Sequence, residues 1–122
     1  MKFTNGQWVT KPEFEFLYAQ QVFDARFSDG ELTVFVYSRP VTERGQTLDQ
    51  GTITLHFTSD IPDTIRVQIN HFEGIRQTGP AFAERRENSP VRFEQDAKKL
   101  VFTAGHAAAI ITRDPFSIQY TW

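Results

Sequence analysis

Three residue classes in this 122-residue chain could do chemistry: 3 histidines, 15 carboxylates and a large set of aromatics. The histidines are His56, His71 and His106. No two share helical i, i+4 spacing or alternate positions of one strand, and a zinc site would need convergent Cys, Asp or Glu partners. They read as hydrogen-bonded or solvated imidazoles. Paired carboxylates drive glycoside hydrolysis, in which one acid must be kept protonated and a second must sit beside it. Asp24, Asp29, Asp60, Asp63, Glu84, Glu87, Asp96 and Asp114 fall instead in turns or on the solvent phase of strands. There a carboxylate is expected to keep a pKa near ~4. No catalytic, cofactor or metal residue is expected. There is no Gly-x-Ser-x-Gly elbow, no phosphate loop and no calcium loop.

The aromatics have more to offer. There are 12 Phe, 3 Tyr and 2 Trp. An exposed ring on a sheet can stack on the C–H face of a sugar. Trp8, Tyr18, Tyr37, Tyr120 and Trp122 are the candidates for such a platform, although most rings here lie on the apolar phase of a strand, where packing is the expected use. Phe35 and Tyr37 are exceptions. They share the polar phase of their strand and point to a covered second face or an interface.

The elements that must position these groups alternate with period two. Phe23, Ala25 and Phe27 alternate with Asp24, Arg26 and Ser28; after Asp29-Gly30, Leu32, Val34 and Val36 alternate with Thr33, Phe35 and Tyr37. An Asp-Gly pair between two such runs signals a tight hairpin, because Gly accepts positive φ. Ser38–Gly51 is a polar connection with a short strand over Val41–Arg44. Ile53, Leu55 and Phe57, then Ile65, Val67 and Ile69, form a second hairpin across the turn Ser59–Asp63. Glu73–Pro90 is the longest polar segment. Strands return at Val91–Glu94, Leu100–Ala104 and Ala107–Thr112, and again from Phe116 to Trp122. Only Lys11–Gln21, with Phe14, Leu17 and Tyr18 at helical spacing, offers a competing helix. The expected class is all-β, with about eight strands in an antiparallel β-sandwich that forms a single domain over 1–122. The last strand ends on a large apolar residue with no polar tail, so a longer protein is expected to continue beyond Trp122, leaving a truncated edge and an uncovered face prone to self-association.

Composition narrows the partners. The net charge of −2 comes from 13 Lys and Arg against 15 Asp and Glu. That balance favours neither nucleic acid nor an anionic membrane. Cysteine is absent, which excludes a disulfide framework and a thiolate site. No apolar run approaches a membrane span, and the first residues carry no secretory signal, so a cytoplasmic location is expected.

Several stretches, in order, carry a resemblance. They are Met1–Trp8, Arg44-Gly45-Gln46-Thr47-Leu48-Asp49, Leu55–Ser59 followed by Ile65–Gly74, Gly79-Pro80 and Asp114–Ile118. Together they resemble the N-terminal domain of glycoside hydrolase family 31, in its bacterial α-xylosidase and α-glucosidase branch. The resemblance implies a galactose-mutarotase-like β-sandwich packed before a (β/α)₈ barrel. It also implies a parent enzyme that cleaves terminal α-linked sugars with retention, using two aspartates on that barrel. The family's Asn-Arg-Asp-like sandwich motif has no copy here, so no functional residue carries over. The expected role of this chain is architectural, with the barrel as partner and the carbohydrate substrate met indirectly. The rival readings are a free-standing carbohydrate-binding module and a protein-interaction module.

Overall fold

The computed structural model describes residues 9, 11–13, 16–39, 51–70 and 89–122. Eight strands occur among them: β1 (Gln21–Ser28), β2 (Glu31–Tyr37), β3 (Thr52–Thr58), β4 (Arg66–Asn70), β5 (Val91–Gln95), β6 (Lys99–Ala104), β7 (Ala107–Arg113) and β8 (Phe116–Thr121). They form two four-stranded sheets, β1-β2-β3-β4 and β5-β6-β7-β8. Every pairing is antiparallel. The expected β-sandwich is therefore the observed architecture. Residues 11–13 and 16–20, where helical spacing competed, hold no helix. The short strand expected over Val41–Arg44 and nearly all of the Glu73–Pro90 segment lie outside the described residues.

Turn chemistry sets the register. Asp29 and Gly30 both adopt positive φ, 52° and 77°, which is the mirror-image turn a two-residue hairpin needs. Between β6 and β7 a two-residue turn places Gly105 first, at φ 62°. The β7–β8 turn contains a cis Asp114-Pro115 bond.

Alternation then sorts the side chains. Leu32, Val34 and Val36 of β2 have no exposed surface, and neither do Phe57 of β3, Leu100 and Phe102 of β6, or Ala109 and Ile111 of β7. Phe102 lies opposite Ala109 in the β6–β7 ladder, a large residue beside a small one. This leaves room for Phe57 of the facing sheet, whose ring centroid is 6.2 Å from that of Phe102. Near the sandwich margin Phe27 of β1 stacks on Phe93 of β5, centroids 5.2 Å apart. Each fully buried Phe or Leu side chain contributes about 1.5–3 kcal/mol of transfer free energy.

Backbone bonds stitch the sheets together. Gln20 donates its N–H to the Tyr37 carbonyl, and its own carbonyl accepts from Phe116 N–H at 2.7 Å. Ser89 N–H donates to the Ser59 carbonyl. β1 thus begins beside β8 and ends against β5, running obliquely across the second sheet.

Candidate functional site

The outer face of the first sheet carries the most distinctive cluster. Simple alternation groups Phe23 with Ala25 and Phe27, on the core side. The structure differs. Val22 lies opposite Val36 and Asp24 opposite Phe35, so the register shifts by one residue and Phe23 is the extra one. Such a bulge turns the inserted side chain to the other face. Val22 is buried in the core instead, while Phe23 is exposed. Its ring stacks on Tyr37, centroids 4.1 Å apart at 17°, and tilts against Phe35 at 5.8 Å. The reading of Phe35 and Tyr37 as members of a second face therefore gains a third ring from β1.

Charged groups border this cluster. The Arg26 guanidinium lies over the Phe35 ring, 5.2 Å from its centroid, within cation–π range. Arg26 Nε donates to Asp24 Oδ2 at 3.2 Å, and Ala25 N–H donates to Asp24 Oδ1 at 2.9 Å. Further along the same face, His56 Nδ1 and Glu31 Oε1 are 2.7 Å apart, and Thr33 Oγ1 donates to the same oxygen at 3.4 Å. Cross-strand pairing explains the meeting, because Arg26, Thr33 and His56 form one row across β1, β2 and β3. Arg26, Ser28, Asp29, Glu31 and Thr33 line a shallow open depression of about 380 Å³. Flat rings beside carboxylates and a guanidinium can pack against C–H groups while binding hydroxyls.

The remaining candidates are dispersed. Trp8, His71, Glu84 and Glu87 lie outside the described residues. Tyr18 is exposed and tilts against Phe16 at 6.5 Å, while Tyr120 and Trp122 lie on and just after β8, in the other sheet. Among the described platform candidates, Tyr37 alone belongs to the outer aromatic cluster. His106 Nδ1 pairs with Asp63 Oδ1 at 3.0 Å. Asp60 pairs with Arg66 at 3.5 Å.

Two of the described carboxylates depart from the expectation of ordinary acidity. Asp63 accepts a hydrogen bond from His106 backbone N–H, and then from the His106 ring, which hold its carboxyl below the usual carboxylate range. Asp96 accepts from the N–H groups of Lys98 and Lys99 at 2.7 and 2.9 Å. Those bonds lower its pKa too. Sequence spacing could flag Asp96, whose donors lie two and three residues away. It could not flag Asp63, whose partner is 43 residues away. Burial pushes the Tyr120 hydroxyl up.

No family model matches the chain. An alpha-xylosidase, XylQ of Lactiplantibacillus pentosus, is 27% identical over 122 residues, covering 99% of this chain and 16% of that protein. The chain spans about one-sixth of that relative's length. The likeness relates it to part of a glycosidase.

Proposed function

We propose that this chain is a non-catalytic β-sandwich domain of a longer, cytoplasmic glycoside hydrolase of family 31, of the α-xylosidase or α-glucosidase type. Its role is architectural: it packs on the catalytic barrel and helps to frame the substrate cleft. One observation carries the reading. The likeness to an alpha-xylosidase runs through 99% of this chain while touching 16% of that protein. The ordered motifs from Met1–Trp8 to Asp114–Ile118 support it, as does the local engagement of the acids. Asp63 is held by His106, and Asp96 by the turn that follows it. Retaining hydrolysis needs two carboxyl groups roughly 5 Å apart, one of them protonated. A carboxylate tied to a cation or to backbone N–H groups is stabilised in its charged form and is a poor acid at neutral pH. Reading the gene beyond the Trp122 codon tests the proposal. The expected result is a frame that continues into a (β/α)₈ barrel of ~250 residues. A stop codon directly after Trp122 would overturn it.

A second reading, a carbohydrate-binding sandwich, is favoured by the outer aromatic cluster. Phe23 stacked on Tyr37, with Arg26 and Asp24 alongside, has the mixed character a sugar ring requires. Titration with xylose and xylo-oligosaccharides, followed by intrinsic fluorescence, tests it. Saturable binding lost in Phe23→Ala would favour this reading, and a flat titration would remove it.

A further inference from the structure

We draw no further inference here: the strongest candidate, the aromatic cluster of Phe23, Phe35 and Tyr37 on the outer face of the first sheet, belongs to the site already described, and nothing in the structure shows what covers it.

Discussion

Asp63 and His106 lock two turns that belong to different sheets. The Asp63 carboxylate accepts from His106 backbone N–H at 2.7 Å and from its ring Nδ1 at 3.0 Å. Asp63 sits between β3 and β4 at φ 59°, and His106 follows Gly105 in the β6–β7 turn. The clasp fastens one end of the sandwich from outside the core.

Gly105 makes the clasp possible. Its φ of 62° disfavours a side chain, and an added Cβ would run into the Asp63 carboxylate. Gly30 has a similar φ, but a Cβ there would meet only Val91 at 3.7 Å, an ordinary contact. Gly105→Ala should therefore cost about 1–3 kcal/mol, more than Gly30→Ala, because it adds a broken clasp to the strain both share. Urea denaturation of the two variants checks this. Equal losses would mean that the clasp contributes nothing.

Stability should fall in acid. The folded-state pKa values of Asp63 and Asp96 lie below ordinary aspartate, lowered by backbone N–H donors. A depressed carboxylate stabilises the fold above the unfolded pKa of ~3.9, and the contribution is lost as pH falls through the lower folded value. Chemical denaturation should show stability level from pH 7 to about pH 5 and declining below it. Asp63→Asn and Asp96→Asn should start lower at neutral pH and decline less steeply in acid. A slope unchanged in both variants would contradict the assignment.

The two hairpins and the two-sheet class were legible because local signals agreed. Asp29-Gly30 demands one turn type, and Leu32, Val34 and Val36 show one buried face. The bulge was hidden because it changes phase inside an unbroken alternating run. Phe23, Ala25 and Phe27 look equivalent in sequence, and only the pairing with β2 separates Phe23 from the others. The outer cluster was half visible, since Phe35 and Tyr37 sit on a polar phase, but its third ring depended on that bulge. The Asp63–His106 clasp links distant turns and has no local signature. Tyr120 and Trp122 matched the apolar pattern, yet both are exposed.

Phe23 and Phe57 should separate sharply by substitution. Phe57 has no exposed surface and packs on Phe102 across the sandwich, so Phe57→Ala should cost about 3–5 kcal/mol through lost burial and a cavity. Phe23 is 42% exposed, and its ring contacts with Tyr37 and Phe35 are worth roughly 1 kcal/mol. Phe23→Ala should cost near that amount. Comparable losses would place Phe23 in the core and remove the bulge.

The proposed role as a non-catalytic part of a glycosidase is tested most directly by turnover. The purified 122-residue chain, and a longer polypeptide that carries it ahead of a barrel, are assayed with an aryl α-xyloside and an aryl α-glucoside. The predicted result is hydrolysis by the longer polypeptide and none above background by the chain alone. Hydrolysis by the chain alone, abolished by replacing any one of Asp24, Asp29, Asp60, Asp63, Asp96 or Asp114 with Ala, would contradict it.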